Sequence, residues 1–343
     1  MKAVLFPGSR QVDVVELPDP TPGPGEALVR MRASALCRSD MSLYDGTPIV
    51  GGDVAGTGSI VPGHEPAGEI AALGPDAGSA LSVGDRVAVN LAIGCGTCRW
   101  CQRGYRMLCS EFRCVGFDVG GGNAEYLVVP AVNCMPIPDE MSFEVAAVST
   151  DMVGTQYSTQ KRLGVSGVDT VAMSGIGPMG AAGVLVAKAR GARVIAVDVL
   201  DSRLEMAREL GADELVDARD GDASEQLREL TDGEGIDVGV ECSGSPAAQN
   251  TLLDAARQLG SVAFIGESRE TTINPSDQLI RKMLTVIGGW YFAAWEYPEV
   301  AALIVGRKLP VEKLITHRFS LDDAAEAFRA FHARETEKAI FTA

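Results

Sequence analysis

Positive charge is scarce in this 343-residue chain. Lys and Arg number 30 against 46 Asp and Glu, so the formal net charge is −16 at pH 7. Nucleic acid and anionic membrane surfaces are themselves negative and would not attract such a chain, so we expect neither as a partner. The acidity is typical of a well-solvated surface.

Long apolar runs are also missing. No segment offers about 18 uninterrupted apolar residues, which is the length that a membrane-spanning helix needs. The first apolar run, residues 1–6, ends at Pro7 and Gly8 and is too short for the apolar region of a secretory signal. We therefore expect a cytoplasmic protein with reduced cysteines. The length is enough for two domains of ordinary size.

What the chain does contain is a dense group of cysteines. Cys95, Cys98, Cys101 and Cys109 follow the spacing C-x2-C-x2-C-x7-C. Four thiolates this close together provide the tetrahedral sulfur ligands that a structural Zn²⁺ prefers. A disulfide cluster is the alternative, and the lack of a secretory signal disfavours it. The spacing therefore predicts a structural zinc site.

Two patterns of secondary structure divide the chain. Residues 1–150 contain short apolar runs between turns, for example at 27–31, 68–72 and 86–91, which are typical of short strands. Strands and helices then alternate, with strands predicted at 168–174, 193–197, 214–217, 236–241, 262–265 and 284–288 and helices at 181–190, 202–210, 223–230 and 246–258. This alternation predicts an α/β fold with a doubly wound parallel sheet. After about Trp290 the pattern changes again, with helices near 298–306 and 321–330 and a strand at 339–342.

A glycine-rich turn follows the first strand of the alternating region. Gly175-Ile-Gly177-Pro178-Met179-Gly180 has the form G-x-G-x-x-G between a strand and a helix, which is typical of dinucleotide binding. The helix amino terminus would bind the pyrophosphate. Asp198, at the tip of the next strand, would bind the ribose hydroxyls and repel a 2′-phosphate, so we expect NAD rather than NADP. Arg203 could hold a 2′-phosphate, and Asp198 could instead only cap a turn.

Three further segments carry a family resemblance: Cys37-Arg-Ser39-Asp40, Gly63-His64-Glu65 and Thr150-Asp151-Met-Val-Gly-Thr155. With them, and with His317-Arg-Phe-Ser-Leu near the carboxyl terminus, the chain resembles the zinc-dependent medium-chain alcohol/polyol dehydrogenases over essentially its whole length. The resemblance implies a β-rich GroES-like catalytic domain at 1–152 and 291–343, with a zinc lobe at about 94–110. It implies a Rossmann NAD-binding domain at 153–290.

The resemblance also implies a catalytic zinc. Cys37, His64 and Asp151 map onto its protein ligands, and Glu65 maps onto a carboxylate that can enter the shell. Ser39 matches the hydroxyl that hydrogen-bonds the substrate alkoxide formed at the zinc, and Thr155 matches a residue near the nicotinamide. Without the resemblance, Cys37 would be interpreted as a buried apolar thiol and Asp151 as a capping residue. His64 is harder to explain without a function, because the chain has only three histidines and this one lies in Gly-His-Glu.

The chain departs from the family pattern in two places. Ser42 stands where many relatives have a histidine that passes the proton to water, so we expect proton release through Ser39, the cofactor ribose and water. Tyr291-Phe292 stands where polyol dehydrogenases often place an Arg-Tyr pair, which weakens a sugar-alcohol assignment and allows a less polar secondary alcohol or a cyclic polyol. The glycine-rich segment 46–62 could be a flexible loop over the cleft or a tolerated insertion, and we favour the insertion.

Other assignments from the sequence concern function class and assembly. The function expected is hydride transfer between a secondary alcohol or polyol and NAD, with two zinc ions per chain. The alternatives are a zinc-independent enoyl or quinone reductase on the same fold and a non-catalytic NAD-binding protein.

Family members are dimers or tetramers, and the strand at 284–288 is a candidate pairing edge. Cys114 could compete with Cys109 for the structural zinc, and it is expected to be a buried apolar residue, like Cys134 and Cys242.

Overall fold

The computed structural model describes residues 1–8, 10–47, 60–78 and 80–343. Most of the glycine-rich segment 46–62 lies outside the described residues, so its interpretation as an insertion stays a prediction. The chain forms two compact units. The first comprises Met1–Asp151, Ala293–Gly306 and Glu312–Ala343, and the second comprises Met152–Phe292 and Arg307–Val311. The domain boundaries drawn from the family resemblance also stay a prediction.

The described residues contain short strands in the first part of the chain and alternating strands and helices in the middle. The strands are β1 Lys2–Gly8, β2 Gln11–Glu16, β3 Glu26–Ala35, β4 Glu65–Leu73, β5 Arg86–Val89, β6 Ala92–Ile93, β7 Arg113–Cys114, β8 Tyr126–Pro130, β9 Cys134–Pro136, β10 Thr170–Ser174, β11 Arg193–Asp198, β12 Glu214–Asp217, β13 Ile236–Glu241, β14 Ala256–Phe264, β15 Thr285–Gly288, β16 Ile315–Phe319 and β17 Lys338–Thr342. The α-helices are α1 Asp40–Tyr44, α2 Arg99–Gln102, α3 Phe143–Val148, α4 Gly154–Leu163, α5 Pro178–Ala189, α6 Asp201–Glu209, α7 Ala223–Glu229, α8 Pro246–Ala255, α9 Tyr297–Arg307 and α10 Ala324–His332.

The main sheet of the first unit has the strand order β16-β17-β3-β4-β5-β9, with β8 as a further partner of β3. β3 pairs antiparallel with β4 and with β17, and α3 packs against β3 and β4. Part of the core is an aromatic group around Phe328, whose ring centroid lies 4.8 Å from that of Phe6 and 5.9 Å from that of Phe341. These contacts fix α10 against the strands.

The second unit is built on a parallel sheet with the order β12-β11-β10-β13-β14-β15. From the central pair β10 and β13, the chain proceeds outward to β11 and β12 on one side and to β14 and β15 on the other. The carboxyl ends of the central strands are therefore a topological switch point, where doubly wound sheets bind ligands. The predicted α/β class with a doubly wound parallel sheet is confirmed.

Two helices of the second unit differ from the sequence prediction by three residues at one end. The helix expected at 181–190 already begins at Pro178, because Gly177 occupies the amino-terminal cap and proline is favoured at the first helical position. The helix expected at 246–258 ends at Ala255, because Ala256 already pairs with Ile236 in the sheet. Strand pairing therefore overrides the helical pattern at that end.

In the parts of the chain that the structure describes, no helix has both the length and the apolar character that crossing a bilayer requires.

Candidate metal centres and dinucleotide site

Strand register in the first unit brings three separate parts of the chain together. Ala35, the last residue of β3, lies opposite Glu65 at the start of β4 and opposite Ile340 in β17. The loop that follows β3 carries Cys37, whereas His64 directly precedes β4. Antiparallel pairing on both sides of β3 thus places Cys37, the His64-Glu65 pair and the start of β17 at one end of the sheet.

The fourth contribution comes from an irregular turn after α3. Residues Ser149–Val153 form a π-helical turn between α3 and α4, and Asp151 lies in it. Such turns are rare, and they often occur at functional sites because they redirect one side chain. Here the Asp151 carboxylate lies 3.4 Å from the Cys37 sulfur and 3.7 Å from Nε2 of His64.

These side chains form a compact set of metal donors. Cys37, His64, Glu65 and Asp151 each offer one ligand atom, and these atoms all lie within 4.8 Å of one another. The Ser39 hydroxyl lies 3.3 Å from Nε2 of His64, beside the donor set. The residues that the family resemblance assigns to the catalytic zinc are therefore neighbours in space, although their roles stay predictions.

The electrostatics of the set favour a cation. Burial and the neighbouring Asp151 raise the pKa of the Cys37 thiol. Burial alone would raise the pKa of Asp151 too, but hydrogen bonding and charge attraction from His64 lower it to about 2. Burial alone would lower the pKa of His64, but Asp40 and Asp151 raise it well above its usual value. Acidic side chains this numerous and this close together stabilise a positive charge that lies between them.

Asp40 has a clear positioning role that the sequence analysis missed. Its carboxylate is fully buried, and Oδ1 lies 2.8 Å from Nδ1 of His64 while Oδ2 accepts the backbone N–H of Cys37 at 2.8 Å. A hydrogen bond at Nδ1 leaves Nε2 of His64 as the nitrogen that faces Asp151. Carboxylates orient metal-binding histidines in this way. The signal in the sequence was the short spacing from Cys37 to Asp40.

Lys338 is the second residue that sequence reasoning missed. It begins β17, is 2% exposed, and its ammonium group donates to Oε1 of Glu65, which is 0% exposed. Burial raises the pKa of Glu65 to about 8 despite the opposing effect of Lys338. Among the described residues, Oε2 of Glu65 is buried and has no hydrogen-bond partner.

A zinc ion fits this donor set. Sulfur, imidazole nitrogen and carboxylate oxygen are the ligands that zinc binds in proteins, and three of them with an open fourth position are typical of catalytic sites. The buried, unpartnered Oε2 of Glu65 and the close approach of Cys37 to Asp151 are both relieved by a divalent cation.

The four-cysteine group forms a second candidate centre in the first unit. Its members, whose sulfur atoms lie within 4.8 Å of one another, are Cys95, Cys98, Cys101 and Cys109. Gly94 permits this packing, because a methyl group there would lie 2.5 Å from the Cys101 sulfur. All eight cysteines of the chain are free thiols, so the disulfide alternative is not favoured.

Hydrogen bonds prepare these sulfurs for a metal. The Cys98 sulfur accepts the N–H of Cys101 at 3.5 Å, and the Cys95 sulfur accepts the N–H of Cys98 at 3.3 Å. The hydroxyl and backbone N–H of Thr97, together with the backbone N–H of Cys98, lower the pKa of Cys95 to about 6, whereas burial raises the pKa of Cys101 to about 12. N–H donors stabilise thiolate, which is the form that binds zinc.

Cys114 lies outside this group. Its thiol donates to the backbone oxygen of Val115, and burial raises its pKa to about 12. Trp295 contacts Gly104 in the lobe, and its ring centroid lies 6.4 Å from that of Tyr105. The lobe therefore carries a tryptophan that can report on its order.

In the second unit, the glycine turn has the geometry of a dinucleotide site. Gly175 has φ +85°, and a methyl group there would lie 2.8 Å from the backbone nitrogen of Ser243. A methyl group at Gly180 would collide with the backbone oxygen of Gly175. Gly177 caps α5, and Pro178 and Met179 form its first turn. The turn is therefore a cradle that a Cβ would fill, at the switch point of the sheet, and it fits a pyrophosphate.

Asp198 and Arg203 both brace this turn. Oδ2 of Asp198 accepts the N–H of Ile176 at 2.6 Å, and Oδ1 accepts those of Val199 and Leu200. Arg203 donates to the backbone oxygen of Ile176 at 3.0 Å. Asp198 therefore caps a turn, which is the alternative interpretation of this residue from the sequence. It also lies at the tip of β11, where a ribose-binding carboxylate is expected. Its role toward the cofactor stays a prediction.

Thr155, Tyr291 and Phe292, which the sequence singled out, have structural contacts, and so has Phe117. Thr155 is buried in α4. Phe292 packs directly on Gly154, and Tyr291 has an unusual φ of +56° for a residue with a side chain. Phe117 is buried, with its ring centroid 5.2 Å from that of His64, so it packs beside the imidazole.

Comparison with known proteins is consistent with this geometry. The family model for the alcohol dehydrogenase GroES-like domain matches residues 23–139, and that for zinc-binding dehydrogenase matches residues 178–306. The uncharacterized zinc-type alcohol dehydrogenase-like protein YphC of Escherichia coli K12 is 35% identical over 347 residues, covering 99% of this chain and 98% of that protein. L-threonine 3-dehydrogenase from Pyrococcus horikoshii is 34% identical over 333 residues, covering 96% of this chain and 94% of that enzyme. The solved structure of alcohol dehydrogenase TADH from Thermus sp. ATN1 matches with a TM-score of 0.92 at 30% identity. The match covers 100% of this chain and 99% of that structure's chain.

Substitution of Asp40 tests whether it orients His64. We expect Asp40→Asn to weaken zinc binding at the Cys37–His64–Asp151 site by about 10- to 100-fold, because the histidine loses its carboxylate partner. Competition with a chromogenic chelator measures this affinity. Asp45→Asn, at the other end of α1, is the matched control and should bind zinc as the wild type does. Equal zinc affinity in Asp40→Asn and wild type would contradict this role.

Substitution of Cys98 tests the lobe. We expect Cys98→Ser to lower the bound zinc from two ions per chain to one and to change the tryptophan emission, since Trp295 contacts the lobe. Metal analysis and fluorescence measure these effects. Cys114→Ser should retain both ions. Two zinc ions per chain in Cys98→Ser would show that the four-cysteine group is not a metal site.

Proposed function

This chain belongs to the zinc-dependent medium-chain alcohol dehydrogenase family, and we propose that it transfers hydride between a secondary alcohol or polyol and NAD. The observation that carries the proposal is the donor set of Cys37, His64, Glu65 and Asp151, whose ligand atoms lie within 4.8 Å of one another. Neither a metal-free reductase nor a non-catalytic NAD-binding protein has a use for these four side chains. Both alternatives leave the buried cluster without a purpose.

In this proposal Cys37, His64 and Asp151 hold the catalytic zinc. Bound there, the ion supplies Lewis-acid stabilisation of the negative charge that develops on the substrate oxygen. The chain's own groups do the rest of the work at this end of the sheet. Asp40 keeps Nε2 of His64 turned toward the ligand position, and Phe117 packs beside the His64 ring.

Ser39 is proposed as the first proton acceptor. Its hydroxyl both donates and accepts hydrogen bonds, and it lies 3.3 Å from Nε2 of His64, at the edge of the donor set. Ser42, at the position of the missing histidine, donates to the backbone oxygen of Ser39 at 2.7 Å and so steadies the loop. Proton release would then proceed through Ser39, the cofactor ribose and water.

The two remaining histidines have other contacts, which supports a route without imidazole. Nδ1 of His317 lies 3.0 Å from the Thr316 hydroxyl, and the His317 side chain is exposed. Nε2 of His332 lies 3.7 Å from the Asp45 carboxylate, with its ring near that of Tyr44. Neither histidine is a member of the donor set.

The second unit is proposed to bind NAD in preference to NADP. Gly175, Gly177, Pro178, Met179 and Gly180 would bind the pyrophosphate through backbone N–H groups. Asp198 would bind the ribose hydroxyls and repel a 2′-phosphate, with Arg203 bracing the turn and Thr155 near the nicotinamide. NAD accepts the hydride, so the protein has to supply orientation and charge rather than redox chemistry.

The substrate class rests on chemistry and relatedness. L-threonine, which the name of the related Pyrococcus horikoshii enzyme specifies, carries a secondary alcohol and therefore belongs among the candidate substrates. The absence of an arginine beside Tyr291 removes a multiple hydrogen-bond donor for sugar hydroxyls. We therefore place less polar secondary alcohols, L-threonine and cyclic polyols ahead of linear sugar alcohols.

Assembly, location and domain limits complete the proposal. β15 is one of the two edge strands of the parallel sheet and is largely exposed, which suits pairing with a second copy in a homodimer or homotetramer. A cytoplasmic location agrees with the free thiols. The proposed catalytic domain spans 1–152 and 291–343, and the proposed NAD-binding domain spans 153–290.

The test is NADH formation at alkaline pH with a panel of linear, cyclic and sugar alcohols and L-threonine, before and after removal of metal by a chelator. We expect turnover that the chelator abolishes and zinc restores. Cys37→Ser should lower turnover by about 100-fold or more while NAD still binds, because charge stabilisation at the reacting oxygen is lost. Cys134→Ser is the control and should remain active. Turnover that is unaffected by the chelator would contradict a catalytic zinc.

A further inference from the structure

Two glutamines of α4 are fully buried in the second unit. Gln156 and Gln160 are both 0% exposed and lie one helical turn apart. The side-chain amide of Gln156 donates to the backbone oxygen of Met179 at 3.1 Å and to the Cys242 sulfur at 3.2 Å. Both N–H groups of this amide are therefore used, and one of them binds a residue of the glycine turn.

Gln160 fixes the orientation of the Gln156 amide. Its Nε2 donates to Oε1 of Gln156 at 3.1 Å and to the backbone oxygen of Gly183 at 3.0 Å. Gly183 permits this close packing of α4 on α5, because a methyl group there would lie 2.8 Å from Cδ of Gln156. Since Oε1 of Gln156 accepts a hydrogen bond from Gln160, Nε2 is the atom that is left to face Met179.

Stability alone gives a weak reason for this pair of amides. Among the described residues, Oε1 of Gln160 is buried and has no hydrogen-bond partner, which costs free energy. Apolar side chains of similar volume in both positions would pack α4 against α5 without that cost. The effect of the amides on the first turn of α5 is therefore the better explanation for their presence.

Two backbone N–H groups remain as donors in the first turn of α5. Pro178 is its first residue and has no N–H. The first intrahelical bond is donated by the N–H of Ala181 to the oxygen of Gly177 at 2.8 Å. The N–H groups of Met179 and Gly180 thus have no acceptor within the helix, and such groups bind phosphate. The Gly180 N–H belongs to the same peptide group as the Met179 oxygen.

We propose that Gln156 is a positioning residue for the pyrophosphate of the cofactor. Its amide fixes and polarises the peptide group between Met179 and Gly180, because a hydrogen bond accepted by the carbonyl strengthens the N–H of the same peptide as a donor. This proposal rests on the dinucleotide site of the proposed function. It adds a side chain outside the glycine turn to the groups that set the affinity for phosphate.

The test compares Gln156→Met with the wild type for binding of NAD, ADP and adenosine. Titration calorimetry measures the affinities, with adenosine in competition against ADP. We expect the variant to bind NAD and ADP about tenfold more weakly, because a hydrogen bond to a charged group is weakened. Adenosine has no phosphate and should bind as it does to the wild type. The KM for NAD should rise, with kcat changed far less.

Two further variants separate positioning from folding. The double variant Gln156→Met/Gln160→Met replaces both amides, so it leaves no unpaired partner behind and should fold even if the single variant does not. It should show the same selective loss of ADP affinity. Gln226→Met removes an amide of α7 that donates to the backbone oxygen of Asp220 at 2.6 Å, and it serves as the matched control. It should bind all three ligands as the wild type does.

Two outcomes would overturn the role of Gln156. Equal losses of adenosine and ADP affinity would show that it only maintains the fold, and wild-type ADP affinity in both Gln156 variants would show that it has no part in binding. Either result leaves the proposed reaction intact if the wild type oxidises an alcohol with NAD. The selective loss in a protein that oxidises no alcohol would support the role of Gln156 and contradict the proposed reaction instead.

Discussion

The first unit depends on one electrostatic constraint, namely that several acidic groups are buried together at one end of a sheet. Cys37, Asp151 and the fully buried Asp40 and Glu65 surround His64, and Lys338 is the buried ammonium that pairs with Glu65. Such a cluster is unfavourable unless a further positive charge joins it. A divalent cation satisfies this requirement, so the same arrangement that costs folding energy creates a site with Lewis-acid character.

The register of the paired strands brings residues that are far apart in the sequence together at that site. β3 is flanked by β4 and β17, so residues around positions 37, 64 and 338 meet at one sheet end, and the π-helical turn adds Asp151. In the second unit the same logic places Gly175 at the carboxyl end of β10, beside β13, where the order of the parallel strands reverses. Each unit therefore presents its chemistry where its sheet topology demands it.

Much of this could be predicted from the sequence, because the informative signals were local. The four-cysteine spacing, the glycine turn and the strand–helix alternation each depend on neighbouring residues, and the parallel sheet is confirmed. Lys338 could not be found in this way, because it is 273 residues from Glu65 and only the pairing of β17 with β3 brings them together. Asp40 was within reach, since it lies three residues from Cys37. The end of α8 was misplaced because the pairing of Ala256 with Ile236 is not visible in the helical pattern.

We expect turnover to depend on a metal ion held by Cys37, His64 and Asp151. The most direct measurement is to strip the protein of zinc and return the ion stepwise, while bound zinc and NADH formation from the best alcohol of the panel are followed together. We predict two zinc ions per chain at saturation. Turnover should rise in proportion to the bound zinc that Cys37→Ser does not take up. Full turnover when only the four-cysteine site is filled would contradict the claim.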